Sequence, residues 1–279
     1  MSRARRALAL YPIASFLVIG NSVAFATALI PPLAKLEFTR FDLPVFASVG
    51  TFLGVGVAAF VVTAAADGRA GVDDLVRRCL RWRVPVRWHL LALFGVPIAA
   101  TLVAVVIYGA ETLESPLEGW IRVILAVVAL FVLQFVFFNF VEEIGWTGFF
   151  QERLQHRYNP LKLSAVVAVA WAAWHLPDFF VEEGWTLMTL ALSPVYFLFE
   201  LVSLFFARVL IVWLYEKTSR SILVVGVFHA SFDATISELS REIIPGSDTA
   251  RILILSGVIV VAAAAVIVFT RGRIVETRR

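Results

Sequence analysis

Long apolar blocks alternate along the chain with short polar segments rich in arginine. The blocks fall at about 7–31, 44–66, 88–108, 121–141, 161–177, 195–215, 221–237 and 252–270. Each is apolar all round, whereas a core helix of a soluble protein needs only one apolar stripe. Blocks of this length read as membrane spans. The pattern predicts an all-α fold, a polytopic transmembrane helical bundle of about eight spans. The fourth helix should continue past its apolar part to about Arg153. The stretch 185–193, "WTLMTLALS", precedes Pro194 and is too short to span, so it reads as interfacial or re-entrant. No polar stretch is long enough for a soluble domain, and residues 1–279 read as a single membrane domain.

Composition agrees with the pattern. The chain has 279 residues, 60% hydrophobic and 16% charged, against roughly a quarter charged in soluble domains. The net charge of +3 is no argument for nucleic acid, because the arginines cluster between spans. The N-terminus (Arg3, Arg5, Arg6), the 67–87 loop, the 152–162 loop, the 216–220 loop and the C-terminus all carry them, and eight spans put all five on one side. The alternate loops hold Glu111, Glu114, Glu118, Glu182 and Glu183. Both termini are therefore expected in the cytoplasm, with the protein multi-pass in a membrane, taken as a bacterial plasma membrane. The basic, then apolar, start resembles a signal peptide but is read as a retained first helix, given the spans that follow. The single cysteine, Cys79, excludes an internal disulfide. "DDLVRRCLRWRVPVRW" (73–88) reads either as a basic amphipathic segment on the inner leaflet or as a cytoplasmic helix cap. "GTFLG" (50–54) fits the GxxxG spacing that lets helices approach closely. The expected partners are membrane lipids and a membrane-associated substrate, not nucleic acid.

Once the loop charges are set aside, few ionisable groups lie at membrane depth: Glu142 and Glu143 in span four, His175 in span five, Glu200 and Arg208 in span six, His229 and Asp233 in span seven. Such groups face a cavity or a partner. Glu200 and Arg208, ~12 Å apart along one helix, read as helix glue with separate partners. His229 and Asp233 share a face at i and i+4, as do Trp171 and His175. Glu142 and Glu143 are ~100° apart around the helix, so one can line a cavity while the other secures the helix. Residue types alone leave open a catalytic or metal site and proton or ion transport.

The blocks "EEIGWTGFFQERL" (142–154), "WAAWHLPDF" (171–179) and "FHASFD" (228–233), in that order on successive spans, resemble the CPBP intramembrane proteases, also called the CAAX protease and bacteriocin-processing family, which includes Rce1-type enzymes. The family pattern is EExxxR, then FxxxH, then HxxxN. The resemblance covers roughly 120–235, a catalytic core within the membrane domain. It implies an intramembrane endopeptidase acting on membrane-associated proteins or peptides, lipid-modified ones among them, by a glutamate-activated water. By resemblance Glu142 activates the water, Glu143 supports it, His175 orients it, and His229 with Asp233 stabilises the oxyanion.

The chain departs from the family pattern at three positions. Thr147 stands at the motif arginine, Trp171 at the phenylalanine and Asp233 at the asparagine. An ionised Asp233 would repel an oxyanion, so its expected role is to hold His229 by a hydrogen bond. Thr147 leaves Glu143 without the motif's charge partner, and Arg153 and Arg208 are the candidates to replace it. No cofactor is expected, although His175, His229, Glu142 and Asp233 together would make a Zn²⁺ set. The same residues also suit a catalytically silent immunity or scaffold protein of the same family, or a proton- or ion-coupled transporter.

Overall fold

The computed structural model describes residues 3–33, 48–176 and 194–274. Among these residues the regular structure is helical, without strands. The helices are α1 (Arg3–Leu10), α2 (Pro12–Leu33), α3 (Ser48–Ala66), α4 (Gly68–Cys79), α5 (Val86–Tyr108), α6 (Leu117–Leu154), α7 (Pro160–His175), α8 (Pro194–Lys217), α9 (Ile222–Ile243) and α10 (Asp248–Phe269). Six of them, α2, α3, α5, α6, α9 and α10, are long and apolar enough to cross a membrane. The predicted spans at 161–177 and 195–215 correspond to α7, 16 residues long, and α8, 24 residues long. The expected re-entrant segment at 185–193 and the side chain of Glu200 lie outside what is described.

Local chemistry fixes where the helices begin. Asn159 caps α7 by accepting from the Lys162 amide at 2.9 Å, with Pro160 in the first helical position. Ser221 caps α9 through the Val224 amide at 3.2 Å. Between α8 and α9 the chain reverses in the four residues 218–221, with Ser219 and Arg220 both at positive φ and the Arg220 amide closing back on the Tyr215 carbonyl at 2.7 Å. This tight reversal sets α9 beside α8.

Helix α6 is 38 residues long, ~55 Å, well beyond the ~30 Å of a bilayer's hydrocarbon. It is one helical run to Leu154, as the pattern predicts for its C-terminal half. What the pattern does not reveal is a change of winding, since Phe135–Asn139 and Trp146–Gln151 are π-helical and flank the α-helical segment Phe140–Gly145. Ile121, Leu125, Val128 and Val132 form an exposed apolar row along its first half, which suits lipid. Farther along it is buried, with Val141 to Gln151 enclosed by α3, α7, α8 and α9.

Close approach of backbones makes that enclosure possible. The GxxxG pair of α3 packs against α2: a Cβ on Gly54 would stand 3.2 Å from the Gly20 carbonyl oxygen, and one on Gly50 2.6 Å from the Thr27 hydroxyl. On α6, a Cβ on Gly145 would stand 2.2 Å from Cγ1 of Val55 and 3.0 Å from the Val55 carbonyl oxygen. Only glycine lets α3 lie against the segment that carries the two glutamates.

The 73–88 segment divides in two. In α4, Leu75, Arg78 and Cys79 are buried against the bundle. Leu80, Trp82 and Val86 beyond it are exposed among Arg81, Arg83 and Arg87. The helix is a docked cap, and most of the apolar and basic exposure expected of a leaflet contact lies beyond it.

Candidate active site

Glu142 and Glu143 sit side by side in α6 and meet different neighbours, because adjacent helical residues diverge by ~100°. Glu143 is wholly enclosed, and both of its oxygens are used. Arg208 of α8 donates to Oε2 at 3.0 Å and to Oε1 at 3.1 Å, a two-pronged pairing of planar groups. The Thr147 hydroxyl also donates to Oε2, and accepts in turn from Nη1 of Arg208 at 3.3 Å. His229 of α9 approaches Oε1 through Nδ1 at 2.9 Å. A carboxylate already paired with arginine can only accept, so Nδ1 of His229 carries its proton. The Nε2 end of that ring is left for other work.

Glu142 accepts from the indole Nε1 of Trp171 at 3.1 Å. Trp171 is the hub of the site. Its ring lies under the Arg208 guanidinium, 4.1 Å from centroid to Cζ, and meets the His229 ring edge to face at 5.1 Å and the His175 ring at 5.7 Å. His175, one turn along α7, points Nδ1 at the Trp171 carbonyl oxygen at 3.0 Å. A carbonyl accepts, so Nδ1 again holds the proton and Nε2 of the neutral ring offers a lone pair. Trp171 thus touches Glu142, His175, His229 and Arg208, whereas the sequence marked it as sharing a face with His175 and as a substitution in the second motif.

Two expectations change. Asp233 does not hydrogen-bond His229: its Oδ2 stands 3.8 Å from Nε2, and it accepts instead from the Asn139 amide of α6 at 2.7 Å. Glu143 holds His229 in its place. Glu143 also has a charge partner despite Thr147, because Arg208 reaches it from another helix. Arg208 is therefore part of the site and not separate helix glue. Arg153, the other candidate, pairs with Asp67 and lies over the Phe149 ring at 3.9 Å. Asn139, nearly wholly buried, was missed. Its signal was present in "FFNFVEE", an amide in an apolar run one turn before the glutamates.

The proposed Zn²⁺ set, His175, His229, Glu142 and Asp233, is not gathered as ligands. Among the described residues no group of three or more His, Cys, Asp or Glu side chains is arranged to hold a metal ion. The hydrogen bonds say why in part: Asp233 is held by Asn139 and Glu142 by Trp171.

A second ion cluster braces the C-terminal end of α6. Arg78 of α4 donates to the Gly148 carbonyl at 2.7 Å, to the Tyr215 hydroxyl at 2.9 Å and to Asp74 at 2.8 Å. Tyr215 donates to Glu152 at 2.8 Å, and Arg220 also binds Glu152. Gly148 lies in the second π-helical stretch, so this arginine fastens the wide turn that follows the glutamates.

Residues 124–235 match the family model described as "Type II CAAX prenyl endopeptidase Rce1-like". This stretch of the chain is thus similar to the Rce1-like family. It includes Asn139, Glu142, Glu143, Trp171, His175, Arg208, His229 and Asp233, while Arg78 lies outside it. A relative named "CAAX prenyl protease 2", from Methanococcus maripaludis, is 29% identical over 135 residues. The alignment covers 48% of this chain and 48% of that relative, so the chain spans about half the length of the curated relative it matches.

Proposed function

We propose that the protein is an intramembrane endopeptidase that hydrolyses a peptide bond of a membrane-associated substrate by a glutamate-activated water, without a metal. The convergence of Glu142, His175, His229 and Arg208 on Trp171, within an Rce1-like stretch, is the observation that carries the reading.

Each side chain has a role its geometry supports. A water between Glu142 and Nε2 of His175 gives one hydrogen bond to the imidazole lone pair and its other proton to the Glu142 carboxylate. The water oxygen forms a bond to the peptide carbon as the carbonyl π pair moves onto oxygen. The resulting oxyanion faces Nε2–H of His229, whose imidazolium form is favoured by Glu143 on its other nitrogen and by Asp233 at 3.8 Å. On collapse the C–N bond breaks, and Glu142 returns the proton to the leaving amine. Arg208 keeps Glu143 charged, so that Glu143 holds the histidine and does not act as a base itself.

The substrate class follows the match: a protein or peptide at the membrane, with lipid-modified C-terminal segments the first to try, since the matched relative is named a prenyl protease. The arginine-rich loops support a site approached from the cytoplasmic face, with both termini there.

Terminus-resolved proteomics of membranes carrying the parent protein or Glu142→Gln tests the reading. New peptide ends should appear with the parent, vanish with the variant and persist with a strong chelator. Identical sets of ends would refute the protease reading and leave a scaffold or a transporter. Loss of the ends with chelator, restored by Zn²⁺, would refute the metal-free chemistry alone.

A further inference from the structure

Helical spacing gives Asp233 every opportunity to bond directly to His229, four residues earlier on the same face. It does not do so. The Asp233 oxygen that lies 3.8 Å from Nε2 of His229 is the one that accepts from Asn139 at 2.7 Å. Asn139 is only 1% exposed and sits at the last position of the first π-helical stretch of α6. Among the described residues its Oδ1 is buried without a partner, and the side-chain amide bonds to Asp233, a contact that fixes which way it faces. Asp233 itself keeps 14% of its side chain exposed, which leaves it room to move.

We propose that Asn139 is a positioning residue that holds the Asp233 carboxylate back from Nε2 of His229, keeping that nitrogen free for substrate. The inference rests on the protease reading for its consequence, though not for its geometry. Glu143 already occupies Nδ1 of the same ring. If Asp233 closed the remaining gap, both ring nitrogens would be tied to carboxylates, and an oxyanion would have to displace one of them. Asp233 held at a distance still favours the charged imidazole through space while leaving its donor unspent.

The experiment is a double-mutant cycle with a spectroscopic readout. Asn139→Leu removes the amide at similar volume, and Asn139→Ala, which adds no bulk, is carried beside it as the milder change. Each should lower kcat about tenfold with KM little changed. Asp233→Ala should lower activity in the parent, where its charge supports the imidazolium, yet raise it in the Asn139 variants to the level of Asp233→Ala alone. In ¹⁵N-histidine spectra, His229 assigned by His229→Gln, the Nε2 resonance should move in Asn139→Ala and return in Asn139→Ala with Asp233→Ala. An unmoved Nε2 resonance, or an Asp233→Ala effect of the same size in both backgrounds, would overturn the inference. Should the parent protein cleave nothing, the protease reading fails, and the spectra decide the inference by themselves.

Discussion

Arg208→Met removes the charge that balances Glu143, the most enclosed carboxylate among the described residues. Both side chains of the pair are 0% exposed, and Arg208 delivers bonds of 3.0 and 3.1 Å to Glu143 and one of 3.3 Å to Thr147. Water cannot replace these donors. The variant would leave Glu143 with only the Thr147 hydroxyl and His229, and uncovering one half of a buried ion pair costs about 3–5 kcal/mol. Arg208→Lys keeps the charge but loses the planar fork, and should fall between the parent and Arg208→Met. The decisive comparison is Arg208→Met with Glu143→Gln. If the damage comes from an unbalanced charge, neutralising that charge should recover most of the loss. Equilibrium unfolding by SDS in bicelles, followed by tryptophan fluorescence, measures all four proteins without needing activity. Arg208→Met within about 1 kcal/mol of the parent would refute the argument, as would a double variant no more stable than the single.

Three further outcomes follow from the packing and the ion clusters. Gly145→Ala should destabilise by about 1–3 kcal/mol, since its Cβ would press on Val55 side chain and backbone, whereas Gly257→Ala, with nothing within 4 Å, should be neutral or slightly stabilising; the same unfolding assay checks both. Cys79, whose thiol burial pushes up to about 12, should resist maleimide at pH 8 and react once the protein is unfolded, as mass spectrometry would show. Arg78→Met should cost roughly 3 kcal/mol in the same unfolding assay, because Gly148 and Tyr215 lose their buried donor, and a loss under 1 kcal/mol would refute that role for Arg78.

The sequence made the helical, membrane-spanning character plain, because blocks apolar on every side have few other uses in a folded chain. It also isolated the ionisable groups at depth, since so few interrupt those blocks. What it could not supply was partnership across helices. Thr147 looked like a missing charge because the arginine that serves Glu143 lies 65 residues away, on α8. Asp233 looked like the partner of His229 because i,i+4 spacing is a local rule, whereas the competing partners, Glu143 and Asn139, come from another helix. Trp171 read as a conservative aromatic change, yet its indole N–H, which phenylalanine lacks, is what Glu142 accepts. The winding of α6 was hidden too. A π-helical stretch holds one residue more than the pattern of apolar positions needs, and with nearly every position apolar there was no stripe to show the slip.

That surplus residue sets which glutamate does what. If Phe135–Asn139 wound as ordinary α-helix with its residues kept, everything beyond would swing by about one residue's angle, ~100°. Glu142 would then face Arg208, and Glu143 would take the bearing of Ile144. Two chemically identical side chains are told apart only by helical phase. The same reasoning marks the part of the stretch before Asn139 as a place where the chain can lose a residue and keep the bearing of both glutamates. A one-residue deletion there would convert the wide turn to an ordinary one and leave both glutamates where they are, whereas a deletion between the stretch and Glu142 would turn Glu143 to the present bearing of Glu142 and Glu142 to that of Val141.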